Sequence, residues 1–198
     1  NALWSKLHET NIRLGGEWIE TRLLSSGPRT NPWFRECSMR IIEKGDLVSF
    51  DTDLIGPYGY CSDISRSWLC GDKPSDEQRR LYAAAYEQIE TNISVLKAGR
   101  TFLEVAEQCW PIPEEFLSNR YSVSMHGVGL ADEYPSIKHS VDVPGNAYDG
   151  VIEAGMTLCV ESFIGSYGGR EGVKLEEQVI VTEAGVERMS TYPYQVDW

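Results

Sequence analysis

The 198-residue sequence is long enough to form one substantial hydrophobic core, and one domain over residues 1–198 is the first expectation. A hydrophobic content of 41% is ordinary for a globular protein, and a formal net charge of −12 argues against nucleic acid as a partner. No apolar run approaches the ~18–20 residues of a membrane span, and no signal-peptide pattern is found, so the sequence predicts a cytoplasmic protein without membrane contact.

The cysteines are odd in number and contain no C-x-x-C pair. This pattern favours neither a zinc ribbon nor a disulfide framework, and it is compatible with a reducing cytoplasm. Free cysteine is a common small buried residue, and that is the expected role of all of them. They are Cys37, Cys61, Cys70, Cys109 and Cys159.

The first third of the chain predicts one helix followed by β structure. Leucines at roughly helical spacing begin the sequence, and the Gly-Gly pair at 15–16 is expected to end this helix. A β-rich stretch follows at 18–24, and the segment SSGPRTNP is typical of a loop. Residues 39–71 then predict two β segments that form an antiparallel hairpin around the Gly-Pro pair at 56–57.

Two capping boxes predict helices in the middle of the chain. Ser75 and Gln78 open a long amphipathic segment that Gly99 is expected to end. Thr101 and Glu104 open a shorter helix. Further β segments are predicted in YSVSMHGVGL, MTLCVESFIG and VKLEEQVIVTEAG. This order of elements predicts an α+β fold with a mostly antiparallel sheet.

Six ionisable residues interrupt the apolar β segments. A single one would be an ordinary core residue with satisfied hydrogen bonds, but burying five acids together requires compensating cations. Oxygen ligands with one imidazole suit a pair of divalent ions such as Fe, Mn, Co or Zn, whereas a mononuclear site needs fewer anions and Mg usually keeps more water. The six residues are Asp51, Asp53, Asp63, His126, Glu161 and Glu176.

The ordered set Asp, Asp, His, Glu, Glu resembles the pita-bread metalloenzymes, which include methionine aminopeptidase, aminopeptidase P, prolidase and creatinase. The resemblance lies in GYCSDISRSW, HGVGL, CVES and VKLEEQVIVTEAG. It covers nearly the whole chain and implies the pita-bread fold, a curved, mostly antiparallel sheet whose pseudo-twofold related halves are covered by helices. Those enzymes carry this domain behind an N-terminal domain, which is expected to be missing from this chain.

The same resemblance implies how the candidate ligands share two divalent metal ions per chain. Asp63 and Glu176 would bridge the ions, the other two aspartates would hold one ion, and the histidine with the remaining glutamate would hold the other. Iron is the first expectation for the metal, with Mn, Zn or Co as alternatives. A homodimer that binds a small-molecule substrate is also implied.

Three departures set this sequence apart from the peptidases of that superfamily. A D-T-D pair replaces a single aspartate ligand, and Trp33 stands where the peptidases carry a histidine. Asp132 and Glu133 lie in the region where a second histidine would follow the ligand histidine. Those histidines assist proton transfer and stabilise the tetrahedral intermediate, so their loss would lower peptide hydrolysis by about 10²-fold or more each.

The departures resemble one branch of the superfamily, the bacterial dimethylsulfoniopropionate lyases. This resemblance implies β-elimination of dimethylsulfoniopropionate to dimethyl sulfide and acrylate, with Asp132 as the base and Tyr121 beside the substrate. Trp33, Tyr121 and Tyr134 are candidates for an aromatic cage around the sulfonium, because aromatic faces attract cations. Taken alone, Asp132 would be a loop residue and the aromatic residues would be core.

Two other functions remain open. A dinuclear metallopeptidase that acts on Xaa-Pro bonds is the alternative enzyme. A binding module that keeps the fold without turnover is the third possibility, and the presence of every candidate ligand argues against it.

Overall fold

The computed structural model describes residues 1–71 and 73–197 and consists of antiparallel sheets covered by helices. The helices and strands, in chain order, are α1 (Ala2–Arg13), β1 (Trp18–Ile19), β2 (Leu24–Ser26), β3 (Leu47–Asp51), β4 (Leu54–Ile55), β5 (Cys61–Ser62), β6 (Ser65–Leu69), α2 (Asp76–Val95), α3 (Phe102–Gln108), α4 (Glu114–Leu117), β7 (Met125–Val128), β8 (Asp132–Ile137), α5 (Val143–Asn146), β9 (Thr157–Ile164), β10 (Val173–Thr182) and β11 (Gly185–Arg188).

The described strands form sheets of five, three and three strands. Their orders are β11-β10-β9-β7-β8, β2-β3-β6 and β1-β4-β5, and every pairing between them is antiparallel. The predicted combination of helices with antiparallel sheet is therefore confirmed.

The predicted hairpin forms, but it is interrupted at its centre. β3 pairs with β6 in antiparallel register, and Asp51 lies opposite Ser65 at the inner end of this pairing. Beyond that point the chain leaves the sheet and forms the separate β4–β5 pair. Asp53 lies at this break with a φ of 38°, in the left-handed region that aspartate tolerates better than most residues.

The five-stranded sheet and the β2-β3-β6 sheet meet along a seam between β6 and the first half of β10. The side chain of Ser67 on β6 accepts a hydrogen bond from Lys174 N at 3.1 Å and donates one to Lys174 O at 2.8 Å. Arg66 donates to the carbonyl oxygen of Glu176 and pairs with Glu177 at 2.9 Å. Side-chain hydrogen bonds, in place of a backbone ladder, thus join one sheet to the other here.

Helix α2 covers the five-stranded sheet. Its buried stripe includes Leu81, Ala85 and Ile89, which belong to the same core as the apolar residues of β9 and β10. The predicted capping boxes at the starts of α2 and α3 are both present. Helix α2 ends before the predicted Gly99, because Leu96 is already extended, with a ψ of 126°, and is buried in the core. Among the described residues, no helix is both long and apolar enough to cross a membrane.

Candidate metal centre

All six predicted ligands are buried and converge where the five-stranded sheet meets the β2-β3-β6 sheet. Their exposed fractions lie between 0 and 7%. Three come from the interrupted hairpin and three from β7, β9 and β10. They are Asp51, Asp53, Asp63, His126, Glu161 and Glu176.

The ligands of the five-stranded sheet share one face because side chains two residues apart on a strand point the same way. Glu161 on β9 lies directly opposite Glu176 on β10. Cys159, two residues before Glu161, lies opposite His126 on β7. The register therefore brings the imidazole, both glutamates and a thiol to the same side of the sheet.

One group of ligand atoms is built from the hairpin. Carboxylate oxygens of Asp51, Asp53 and Asp63 lie within 4.8 Å of one another. The left-handed backbone at Asp53 turns its N–H toward Asp63 Oδ1, to which it donates at 3.0 Å. Thr21 donates to the other side of the group, at Asp53 Oδ2. Local backbone geometry thus explains why the carboxylates of Asp51 and Asp53, which are separated by one threonine, can both lie beside Asp63.

A second group shares one member with the first. Ligand atoms of Asp63, His126, Cys159 and Glu176 also lie within 4.8 Å of one another. Asp63 therefore lies between the two groups, where the family resemblance predicts a bridging ligand. Glu161 lies beside the second group, with Oε1 at 3.1 Å from His126 Nε2. Cys159, which the sequence analysis treats as an ordinary buried residue, was missed, although its spacing from Glu161 is a usable signal.

The contacts of His126 determine which of its nitrogens can bind a metal. Nδ1 lies 3.1 Å from the carbonyl oxygen of Gly127, which can only accept, so Nδ1 carries a hydrogen. Nε2 faces Glu161 and Glu176. Burial lowers the pKa of His126, but the hydrogen bond to Glu161 and the negative charges of both glutamates outweigh this effect and raise the pKa well above its ordinary value. A cation is therefore favoured at Nε2, and a metal ion would replace the proton.

The carboxylates also require a cation. Burial, with the neighbouring acids, raises the pKa of Asp51 to about 6 and that of Asp53 to about 7. Burial likewise raises the pKa of Asp63 well above its usual range, with Glu176 and Asp51 adding to the effect. Each shift means that the charged form is disfavoured unless a cation lies beside the carboxylate.

The residues present fit a divalent metal ion. Glu176 Oε1 is buried and accepts no hydrogen bond from the described part of the chain; His126 Nε2 lies 3.6 Å away. Buried carboxylate oxygens are rarely left in this condition. Five carboxylates and one imidazole are also the donor set that Fe, Mn, Co or Zn accepts.

A lysine that the sequence analysis missed lies inside the site. Lys174 is fully buried, and its Nζ is 2.6 Å from Glu161 Oε2 and 3.5 Å from both Asp51 Oδ2 and Glu176 Oε2. Burial lowers the pKa of Lys174. The negative charges of Asp51, Glu161 and Glu176 outweigh this effect and hold the pKa well above its ordinary value. Its place two residues before Glu176 on β10 puts it on the ligand face.

Asp132, the predicted base, lies at the edge of the ligand set. It begins β8, and its Oδ1 is 3.6 Å from His126 Nδ1, on the side of the imidazole that faces away from the glutamates. Burial raises the pKa of Asp132 to about 6. The next residue, Glu133, has a φ of 65° and a side chain that is 56% exposed. The two acids therefore differ in environment although they are adjacent.

The predicted aromatic residues do not form one cage. Trp33 and Tyr121 are buried in one cluster, and Lys174 Nζ lies 5.8 Å and 4.8 Å from their respective ring centroids. Tyr134 is 69% exposed and stacks with Tyr148 instead. Phe34, which was not predicted, is 57% exposed, has a φ of 68° and stacks on Tyr121 at 5.3 Å.

His139 provides a test of the packing behind Tyr121. It is buried, and its Nε2–H donates to the carbonyl oxygen of Tyr121 at 3.0 Å. Burial lowers the pKa of His139 to about 4. The unfolded chain therefore binds a proton that the folded chain does not, so stability should be lost as the pH falls from about 6.5 toward 4.

His139→Gln should remove this contribution. We expect urea unfolding between pH 4.5 and 7.5 to give a free energy of unfolding whose slope against pH is shallower by up to one proton, about 1.4 kcal/mol per pH unit. Equal slopes for the parent and the variant would contradict the assignment of a neutral His139 in the folded protein.

Comparison with known proteins agrees with this geometry. Residues 1–183 match metallopeptidase family M24. The dimethylsulfoniopropionate lyase DddP of Roseovarius nubinhibens is 50% identical over 196 residues, which cover 97% of this chain and 43% of that protein. The lyase of the same name from Roseobacter denitrificans is 47% identical over 195 residues, which cover 98% of this chain and 44% of that protein. The chain thus spans less than half the length of these relatives.

Solved structures show the same fold. Prolidase from Pyrococcus furiosus superimposes with a TM-score of 0.82 at 26% identity, over 97% of this chain and 55% of that one. Dipeptidase PepE from Mycobacterium ulcerans gives a TM-score of 0.81 at 26% identity, over 98% of this chain and 51% of that one. These neighbours confirm the predicted pita-bread fold, and the match over residues 1–183 shows that the chain belongs to metallopeptidase family M24.

Proposed function

We propose that this protein is a metal-dependent lyase that cleaves dimethylsulfoniopropionate to dimethyl sulfide and acrylate. The observation that carries the proposal is the position of Asp132, a largely buried carboxylate beside His126 but outside the groups of ligand atoms. A base for β-elimination must lie near the substrate without being one of the residues that would hold a metal ion. The two lyases that are 50% and 47% identical to this chain over the matched residues support the choice of substrate.

The six predicted ligands would hold two divalent ions, of which iron is our first choice. When bound, the ions act as Lewis acids toward the substrate carboxylate and stabilise negative charge beside it. We propose Asp63 and Glu176 as the bridging residues. Support comes from the position of Asp63 in both groups of ligand atoms and from the unpaired oxygen of Glu176.

Asp132 would take the proton from the carbon next to the substrate carboxylate. The electron pair of that C–H bond becomes the second bond of the acrylate C=C. The bond from the neighbouring carbon to sulfur breaks, and its electron pair leaves with neutral dimethyl sulfide. The proton ends on the Asp132 carboxyl, whose raised pKa of about 6 makes it a better base than an exposed aspartate.

Tyr121 and Trp33, which lie together in one buried cluster, are the proposed aromatic contacts of the substrate. Lys174 lies against both rings and carries the same sign of charge as the sulfonium. The lysine therefore favours a binding mode in which the substrate carboxylate, and not the sulfonium, points toward the buried end of the site. We further propose that the protein acts as a cytoplasmic homodimer on this small molecule, in keeping with the family resemblance.

Hydrolysis of Xaa-Pro bonds is the second candidate. The Xaa-Pro dipeptidase of Pyrococcus furiosus is 30% identical over 173 residues, which cover 85% of this chain and 46% of that protein. Against it stand Trp33, where the family resemblance places one histidine of the peptidases, and Asp132 with Glu133, which lie in the region of the second histidine.

A paired assay separates the candidates. This chain, loaded with Fe²⁺, Mn²⁺, Co²⁺ or Zn²⁺ in turn, is incubated with dimethylsulfoniopropionate and, separately, with an Xaa-Pro dipeptide. We expect dimethyl sulfide in the headspace and an equal amount of acrylate in solution, with no free proline. A chelator-treated sample is the control. Release of proline without dimethyl sulfide would contradict the lyase function and support the peptidase function.

A further inference from the structure

Lys174 is a buried cation for which the elimination chemistry has no step. It lies on β10, on the same face as Glu176, and it has no exposed surface. A lysine in a protein interior is rare and requires charged or strongly polar partners. Its partners here are the candidate ligands themselves, at 2.6 Å for Glu161 and 3.5 Å for Asp51.

The charges of the site balance only when the lysine is included. The candidate ligands comprise five carboxylates and one imidazole, which is neutral when it binds a metal. Two divalent ions supply four positive charges, and the ammonium of Lys174 supplies the fifth. Since an uncompensated charge in a protein interior is costly, this balance gives the lysine a role in the energetics of the centre.

The contacts of Lys174 also fix the ligands in place. Its Nζ holds Glu161 Oε2, so that Oε1 of the same carboxylate points to His126 Nε2 at 3.1 Å. Its Nζ donates to Ser65 Oγ at 2.7 Å, and Ser65 Oγ lies 2.5 Å from Asp51 Oδ1. Ser65 belongs to β6, so the lysine connects ligands on both sides of the seam.

We propose that Lys174 is a positioning residue of the metal centre, which supplies its fifth positive charge and fixes the positions of the Glu161 and Asp51 carboxylates. The inference rests on the two-metal site of the proposed function. It makes a prediction about the metal-free protein, because Lys174 Nζ lies within 3.5 Å of Asp51, Glu161 and Glu176. Of these three carboxylates, the His126 imidazole contacts only the two glutamates.

A double-mutant cycle in the chelator-treated protein tests this role. The melting temperature is measured at pH 7.5 for the parent, Lys174→Met, Glu161→Gln and the double variant. Lys174→Met should melt roughly 10 °C below the parent, because it leaves buried carboxylates without their cation. The double variant should melt above Lys174→Met, because one unbalanced carboxylate has been removed together with the lysine.

Lys174→Met combined with Glu183→Gln is the matched control. Glu183 is an exposed acid in the turn between β10 and β11 and lies outside both groups of ligand atoms. Its replacement should give no recovery. If Lys174→Met does not fold without metal, the double variant with Glu161→Gln is decisive and should fold.

Addition of Zn²⁺ alone provides a second measurement. The rise in melting temperature caused by Zn²⁺ should be larger for Lys174→Met than for the parent, because the metal replaces the missing positive charge. Two results together would overturn the inference and leave Lys174 as a packing residue. The losses of melting temperature in the two single variants would add up in the double variant, and Zn²⁺ would raise the melting temperature of Lys174→Met and of the parent equally. These measurements use no substrate, so they succeed or fail independently of the lyase assay.

Discussion

Asp132→Asn should lower turnover by roughly 10²-fold or more, the usual scale for loss of a general base. The asparagine keeps the shape and hydrogen bonding of the side chain but cannot accept the substrate proton. Since Asp132 lies outside the groups of ligand atoms, the bound metal should be unchanged. The effect should fall on kcat, with little change in KM. Steady-state release of dimethyl sulfide and metal analysis of the same sample measure both quantities.

Glu133→Gln is the matched control for this experiment. Glu133 is the next residue in the sequence and is also an acid near His126, with Oε1 at 3.9 Å from Nε2. Its side chain is, however, 56% exposed. Its replacement should change turnover by only a few-fold. Full turnover in Asp132→Asn, or an equal loss in both variants, would rule out Asp132 as the base.

Removal of the metal should have the largest effect on stability. With the free metal concentration at 100 to 1,000 times its dissociation constant, binding stabilises the folded state by about 3–4 kcal/mol per site. We therefore expect the melting temperature to fall by roughly 10 °C or more after chelation and to return when metal is added. Metal analysis after reloading should find close to two ions per chain.

His126→Ala identifies the second ion. The variant should retain close to one ion per chain and lose most of the activity, because the hairpin aspartates remain intact while the imidazole is gone. His139→Gln should keep both ions, since His139 contacts the backbone of Tyr121 and none of the ligands. An unchanged melting temperature after chelation, with no metal taken up again, would refute the metal centre.

The burial and convergence of the candidate ligands could be predicted from sequence because each of them breaks a local rule. An acid or a histidine within an apolar β segment is conspicuous, and Asp63, Glu161 and Glu176 each interrupt such a segment. Lys174 breaks the same rule but was not recognised. A lysine within a predicted strand is normally interpreted as a flexible side chain whose amino group reaches water. Its burial becomes meaningful only when the partners supplied by other strands are known.

Two further differences between prediction and structure have the same origin in tertiary context. The backbone of Asp53 leaves the β region to meet Asp63, so the hairpin breaks where the sequence suggests continuity. Tyr134, predicted to lie with Trp33 and Tyr121, stacks instead with Tyr148, a residue fourteen positions later in a segment without regular structure. Neither arrangement has a periodic signal, because both depend on how distant segments approach each other.

The seam between β6 and β10 has a consequence for protein design. Half of the ligand set lies on each side of a junction that Ser67 and Arg66 hold together through side-chain hydrogen bonds. No single hairpin or helix pair contains the site. Transplanting it into another scaffold would require copying two sheets and their relative placement, with the serine and arginine that join them. A substitution at either residue could therefore change the distance between ligands without touching any of them.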